Sequence, residues 1–103
     1  MFRVTTQNGS DQLVLKFEGR LTGDWVAAAD ACWREAIASL GHRPVVVDLR
    51  DVTVVDVAGR ELMSRMYRAG ARFRVRGCEM RELEREIAQA LSEAAGFENE
   101  RNA

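Results

Sequence analysis

The sequence predicts an α/β domain built on a small mixed four-stranded sheet, with three helices mainly on one face of that sheet. Two short segments near the start alternate apolar and polar residues, and an Asn-Gly pair stands between them. An apolar run of strand length follows in mid-chain, and three stretches with helical spacing accompany the later strands. The order β-β-α-β-α-β-α therefore predicts a β-hairpin and then a βαβαβα unit with right-handed crossovers.

The first two predicted strands span residues 2–6 and 12–18. Asn8-Gly9 tolerates the positive φ values of a tight hairpin turn, and Gly19 is expected to end the second strand. Residues of the second strand alternate between its two faces. Leu13, Leu15 and Phe17 are expected to face the core, and Val14, Lys16 and Glu18 the opposite side.

The first predicted helix runs from Thr22 to about Leu40, with Thr22 as its N-cap and Asp24 in its first turn. Gly41 is the expected stop. Core packing is expected for both tryptophans, whereas an exposed Trp25 would indicate a partner surface. The apolar stripe has three- and four-residue spacing: Trp25, Ala29, Cys32, Trp33, Ala36, Ile37 and Leu40.

The segment 45–49, after Pro44, is the expected central and most buried strand. Asp56 is positioned to cap a second helix that spans roughly residues 57–69 and ends at Gly70. The apolar side of this helix is expected to consist of Leu62, Met63, Met66 and Tyr67.

A fourth strand is predicted at 72–76, and a third helix at about 80–95 that Gly96 closes. Residues 97–103 are expected to form a flexible tail after a core of about 2–95. Because three strands alternate apolar with charged residues, the face without helices should be largely solvated, which is unusual for parallel strands.

Composition favours one soluble domain. The chain has 103 residues, 47% of them hydrophobic, and a net charge of −1, which does not favour nucleic acid or a membrane surface. No apolar run reaches the roughly 20 residues that span a bilayer. A cytoplasmic location with reduced thiols is therefore expected.

No catalytic or cofactor constellation can be assembled from the sequence. Cys32, Cys78 and His42 are too scattered for a zinc site, and the single histidine has no Ser/Asp partners nearby for a nucleophilic triad. A phosphate-binding Gly-rich loop of the G-x-x-x-x-G-K-[ST] kind does not occur. The sequence predicts neither an enzyme nor a cofactor or metal.

The segment VVVDLRDVTVVDVAG, residues 45–59, resembles the signature of STAS domains. In that family an apolar strand ends in Asp-Leu, and an Asp, two small or hydroxyl residues and a Gly then open a helix. LVLKFEGRLT, residues 13–22, resembles the family's second strand and its Gly-x-Leu-Asp turn, and residues 72–77 stand where its last strand lies. The resemblance covers roughly residues 2–95. It implies a regulatory protein-binding module like an anti-sigma-factor antagonist, with an anti-sigma factor or kinase-like protein as partner.

The resemblance also identifies a missing phosphorylation site. In anti-sigma-factor antagonists the hydroxyl residue just before the Gly accepts a phosphate, but here that residue is Ala58, and Val57 precedes it. Neither side chain carries an oxygen, and neither Thr53 nor Ser64 matches the acceptor position. We therefore expect a module that is not phosphorylated at the usual position.

The partner surface implied by the resemblance centres on residues 53–65. Asp56 could equally be a plain N-cap, Gly59 a packing requirement and Arg60 a solvated side chain. The predicted contact residues are Thr53, Asp56, Val57, Ala58, Gly59, Arg60 and Met63.

Two other functions stay open. The chain could be an accessory subunit that binds the ATPase of a bacterial lipid transporter, or a scaffold subunit of a larger sensory assembly. Weak homodimerisation is compatible with the sequence.

A run of arginines without intervening acidic residues could form a patch for an acidic partner or nucleic acid, although pairing with Glu18 across the strands is the simpler expectation. These arginines are Arg65, Arg68, Arg72, Arg74 and Arg76. Nucleic acid is not predicted as a partner.

Overall fold

A computed structural model of the chain describes the backbone of residues 1–102 and the side chains of residues 1–94. Within this part the elements follow the predicted order: β1 Phe2–Asn8, β2 Leu13–Leu21, α1 Asp24–Ala38, β3 Val45–Val55, α2 Val57–Arg68, β4 Arg72–Arg74 and α3 Cys78–Asn102. The strands form one sheet in the order β1-β2-β3-β4, antiparallel between β1 and β2 and parallel elsewhere. The predicted fold class is confirmed.

Strands β1, β2 and β3 all run further than the sequence predicted. β1 reaches Asn8, and neither Asn8 nor Gly9 has the expected positive φ, because the turn is wider and the N–H of Gly9 donates to the carbonyl oxygen of Gln12 at 3.1 Å. The expected end of β2 at Gly19 is wrong, because the glycine adopts a φ of 100° at a register irregularity and the strand continues beyond it. β3 likewise continues past Leu49 and pairs with β2 as far as Val55. The irregularities let both strands bend without losing their pairing. As a result, only Asp56 separates β3 from α2.

The start of α1 differs from the prediction by one residue. Gly23, and not Thr22, is the N-cap, and it offers no side-chain cap. Thr22 instead accepts the N–H of Trp25 through its carbonyl oxygen at 3.0 Å. With a φ of 53° and a ψ of −129°, Gly23 adopts a backbone conformation that suits glycine, which turns its own N–H away from α1.

The last two elements also differ in length from the prediction. β4 pairs with β3 only through Arg72–Arg74, because the irregular part of β3 begins just beyond Asp48. The predicted end of the third helix at Gly96 is wrong, since α3 extends to Asn102. A glycine inside a helix costs only about 1 kcal/mol relative to alanine, so it does not by itself stop one. The flexible tail predicted at 97–103 stays a prediction, because the side chains of these residues lie outside the described part of the chain.

All three helices contribute to one core on the same face of the sheet, as predicted. Val26, Ala29, Trp33 and Ala36 enter it from α1, Leu62, Met63 and Met66 from α2, and Ile87 from α3. The sheet supplies alternate residues of its two central strands: Leu13, Leu15 and Phe17 from β2, and Val45, Val47 and Leu49 from β3.

The opposite face of the sheet, the open face, is covered by its own long polar side chains. Val14 and Val46 are neighbours there and are buried although they lie outside the core cluster. Next to them Asp48 is buried, and Arg50 donates to both of its carboxylate oxygens at 3.0 and 2.8 Å. These bonds hold the pKa of the Asp48 carboxyl below its usual range. Lys16 adds a further positive charge beside this pair.

The expected pairing of arginines with Glu18 is wrong. β3 lies between β2 and β4, so the arginines of β4 are not neighbours of Glu18. Glu18 instead lies 3.4 Å from Lys16, and Arg76 lies 3.8 Å from Asp51.

Gly59 fixes how closely α2 approaches the end of β2. A Cβ at this position would lie against the carbonyl oxygen of Leu21 and 2.9 Å from Cγ1 of Val55. The first turn of α2 therefore rests directly on the backbone of β2. Packing, and not a positive φ, requires glycine here.

We predict that Gly59→Ala lowers the free energy of unfolding by about 1–3 kcal/mol, because the methyl group forces backbone against backbone. The sign is diagnostic, since alanine normally stabilises a helix interior relative to glycine by about 1 kcal/mol. Urea denaturation followed by circular dichroism measures the change. Ala58→Ser, at the exposed neighbouring position, is the control and should stay within about 0.5 kcal/mol of wild type. A Gly59→Ala protein as stable as wild type would contradict the close approach.

Candidate functional site

One edge of the sheet brings together the starts of all three helices. The parallel strands β2, β3 and β4 end there, and the antiparallel β1 begins there. We call this the carboxyl edge and define it by residues 20–25, 53–60 and 76–79, together with Met1. Met1 belongs to it because its carbonyl oxygen accepts the N–H of Arg20 at 3.2 Å. In open α/β sheets, the carboxyl ends of the strands are where binding sites usually lie.

Asp56 organises this edge with its two carboxylate oxygens. Oδ1 accepts the N–H of Gly59 at 2.8 Å, which caps α2 as predicted. Oδ2 accepts the N–H of Gly23 at 2.9 Å, which ties the start of α1 to the start of α2. These N–H groups, Gly23 first and Gly59 second, hold the pKa of the Asp56 carboxyl below its usual range. Asp56 therefore orders two loops at once.

Four of the five most exposed large apolar side chains in the described part of the chain lie at the carboxyl edge. The exposed fractions are 84% for Met1, 43% for Trp25, 47% for Val54 and 72% for Val57. Trp25 stacks on Phe2 with ring centroids 6.2 Å apart, so one side of the indole is covered and the other faces solvent. Ile37, the fifth, lies near the far end of α1.

The predicted contact residues divide into two groups. Thr53, Val57, Ala58 and Arg60 are exposed, and Asp56 is partly exposed, so all five are available to a partner. Thr53 donates its hydroxyl to the carbonyl oxygen of Gly19 at 3.3 Å, and Arg60 lies 2.9 Å from Glu86.

Gly59 and Met63 are not available to a partner. Gly59 is buried against β2, and Met63 has an exposed fraction of 0%. Met63, which the sequence predicts as a contact residue, is buried because α2 starts at Asp56 in a rotation that turns Gly59, Met63 and Met66 toward the sheet.

Sequence reasoning missed Gly23 as part of the site. For Trp25 it favoured the core, although it named an exposed Trp25 as the sign of a partner surface. Trp25 was assigned to the core stripe of α1, but Val26 occupies the core position in its place. The signal was present, since Val26, Ala29, Trp33 and Ala36 follow helical spacing as well as a stripe that starts at Trp25. The contact of Gly23 with Asp56 joins positions 33 residues apart, and no local pattern reveals it.

A groove continues from the carboxyl edge between the end of β3 and α3. One cavity of about 660 Å³ is lined by Val52, Thr53, Val54, Val55, Arg76, Gly77, Cys78, Glu79, Met80 and Leu83. A second, of about 590 Å³, is lined by Val55, Arg60, Cys78, Glu79, Glu82, Leu83 and Glu86. The two share Val55, Cys78, Glu79 and Leu83, so they form one continuous depression, which we call the acidic groove.

Chemically, the carboxyl edge offers apolar contact area and a few charges. Among the described residues, no group of three His, Cys, Asp or Glu side chains is placed to hold a metal ion. In the same part of the chain, no helix is long and apolar enough to cross a membrane. The arrangement suits contact with a protein surface, since apolar side chains are exposed around an ordered backbone.

Comparison with known proteins gives partial structural similarities. No family model matches the chain, and no curated protein matches it. A crystal structure of Mglu is 26% identical over 73% of this chain, with a TM-score of 0.49, but this chain spans only 19% of that one. An antisigma-factor antagonist STAS domain from Rhodobacter sphaeroides is 21% identical, with a TM-score of 0.44. That similarity covers 72% of this chain and 84% of the STAS domain.

We predict that Asp56→Asn destabilises the protein at neutral pH, and that the difference from wild type shrinks below about pH 4. The pKa of the Asp56 carboxyl is lower in the folded than in the unfolded protein, so the folded state binds fewer protons. The resulting stability is present above the unfolded pKa and is lost as pH falls through the folded pKa. An asparagine also accepts only with its one oxygen, so at least one of the two backbone bonds is lost.

Urea denaturation of both proteins between pH 7 and pH 3 measures this difference. Asp11→Asn, at an exposed position in the β1–β2 turn, controls for the loss of one negative charge. If wild type and Asp56→Asn differ as much at pH 3 as at pH 7, the carboxylate is not the source of the stability.

Proposed function

We propose that the chain is a STAS-type regulatory module that binds a kinase-like anti-sigma factor, without being phosphorylated at the position where such antagonists usually are. Binding sequesters the anti-sigma factor, which frees a sigma factor. We also propose that the module works in the cytoplasm and has no catalytic activity of its own. The proposal combines the resemblance of residues 45–59 to the STAS signature with the geometry of the carboxyl edge.

The exposed apolar side chains of the carboxyl edge are the observation that carries this proposal. Val57, 72% exposed, is the first residue of α2, and Val54, 47% exposed, lies three residues earlier near the end of β3. Such exposure is unfavourable in water unless a partner covers it. The resemblance to STAS domains implies that this helix start faces the partner. The sequence resemblance and the exposed apolar side chains therefore indicate the same residues.

Ala58 determines the kind of regulation that we propose. It is exposed in the first turn of α2, where a phosphate would add about 1.5 to 2 negative charges beside the helix N-terminus. Alanine cannot accept that phosphate, so the binding surface keeps one charge state. Regulation would then come from the partner or from the amount of this protein.

We predict that Val57→Gln weakens binding to the anti-sigma factor at least about tenfold, since an apolar anchor near the centre of an interface typically contributes that much or more. Ile37→Gln is the matched control, because Ile37 is also exposed but lies near the far end of α1. Isothermal titration of each variant with a purified kinase-like anti-sigma factor from the same organism gives both affinities.

Two outcomes would contradict the proposed function. One is a Val57→Gln protein that binds the anti-sigma factor as tightly as Ile37→Gln does. That result would show that the carboxyl edge is not the docking surface. The other is no binding to the anti-sigma factor by wild type, together with binding to the ATPase subunit of a lipid transporter.

We predict that wild type incubated with the kinase-like partner and ATP carries no phosphate at position 58, whereas Ala58→Ser becomes a phosphoprotein. The serine would be exposed at the same place in the first turn of α2. Intact-mass and peptide mass spectrometry measure the modification, with Ala58→Val as the control without a hydroxyl. Phosphate on Thr53 or Ser64 of wild type would show that the chain is switched after all.

A further inference from the structure

The acidic groove has an apolar floor and a rim of mainly negative charge. Val55 and Leu83 form the floor where the two cavities overlap, and Val52, Val54 and Met80 extend it along the end of β3 and the start of α3. Three glutamates and one arginine stand around the part between α2 and α3: Glu79, Glu82, Glu86 and Arg60. An apolar floor with charged sides is the form of groove that binds an amphipathic helix.

The glutamates of the rim form one stripe along α3. Their spacing of three and then four residues places them on the same face of that helix. From Glu79 to Glu86 the stripe extends about 10 Å, which corresponds to roughly two turns of an α-helix. The groove is therefore long enough to hold a short helical segment.

The positive charges near the rim do not neutralise this stripe. Arg60 lies 2.9 Å from Glu86, and Arg85, which does not line the groove, lies 3.2 Å from Glu82. Glu79 takes part in no ion pair among the side chains that the structure describes. The lining of this part carries three glutamates against Arg60. The other part of the groove adds Arg76, which lies 3.8 Å from Asp51, so the whole lining has one more negative than positive charge. Charge of this sign favours a basic partner.

We propose that the acidic groove holds a basic amphipathic helix of the protein partner, with apolar residues on the Val55–Leu83 floor and Arg or Lys facing Glu79 and Glu82. This inference rests on the proposed function, and it names a second, charged contact beyond the apolar one at Val57. Val54 and Val55 join the groove to the carboxyl edge, so one partner covers both surfaces. The apolar contact supplies most of the affinity, and the acidic stripe selects the sign of the partner's charge.

A designed peptide of about 18 residues tests the groove directly. It carries Leu at three- and four-residue spacing with Arg and Lys at the flanking positions. One control peptide has the same composition in a permuted order that spreads Leu around the helix, and another has Glu in place of each Arg and Lys. Fluorescence anisotropy of the labelled peptides, titrated with the full chain at low and at physiological salt, gives the dissociation constants.

The variant E79Q/E82Q removes two rim charges and leaves the floor intact. E93Q is its matched control, since Glu93 is an exposed glutamate of the same helix outside the groove. We expect the basic amphipathic peptide to bind, E79Q/E82Q to weaken that binding about fivefold and more salt to weaken it further, with E93Q unchanged. Circular dichroism confirms that each variant is folded.

The proposal is overturned if the permuted or the acidic peptide binds as tightly as the basic amphipathic one. It is also overturned if E79Q/E82Q and E93Q bind the basic peptide equally. Titrating the same variants with the anti-sigma factor shows whether only the groove proposal fails or whether the proposed function fails as well. If the affinity for the anti-sigma factor falls in Val57→Gln but not in E79Q/E82Q, the carboxyl edge remains the docking surface and only the proposal for the groove fails.

Discussion

The carboxylate of Asp56 accepts one backbone hydrogen bond from Gly59 and one from Gly23, and through them it joins the starts of two helices. The second bond uses the N–H of Gly23, a residue whose φ of 53° suits glycine. The first depends on Gly59, since any larger residue would push α2 off the backbone of β2. One aspartate and two glycines therefore set the positions of α1 and α2 relative to the sheet. The ordinary function of an N-cap and the ordering of a docking surface are here the same interaction.

This constraint also decides which side chains are exposed. Because only Asp56 separates β3 from α2, the rotation of α2 is set at its start, and it leaves Val57 facing solvent and Met63 buried. Across the Asp56 bridge, α1 begins with Trp25 exposed and Val26 in the core. Trp25 and Val57 are exposed because short connections fix the rotation of both helices.

The apolar residues on the two faces of the sheet are buried in different ways. One face is covered by three helices and forms the core. On the open face Val14 and Val46 are buried outside the core, and Arg50 neutralises the buried Asp48. A parallel sheet can thus remain without a second layer of helices when its polar side chains pair with one another. On the open face Lys16 and Arg50 pair with Glu18, Asp48 and Asp51, whereas the glutamate stripe of α3 borders an apolar groove.

The sequence by itself determined the element order, the hairpin, the placement of helices on one face and the cap at Asp56, because period-two and helical spacing and capping preferences act over short distances. It also determined that position 58 lacks a hydroxyl group. Only the tertiary structure decided that β2 continues past Gly19, that Trp25 is exposed and Met63 buried, and that Gly23 contacts Asp56. It also decided that the acidic groove lies beside Val54. Each of these depends on the rotation of a helix or the register of a strand relative to residues far along the chain. Local spacing either does not report it or, as for the two possible stripes of α1, fits both arrangements equally well.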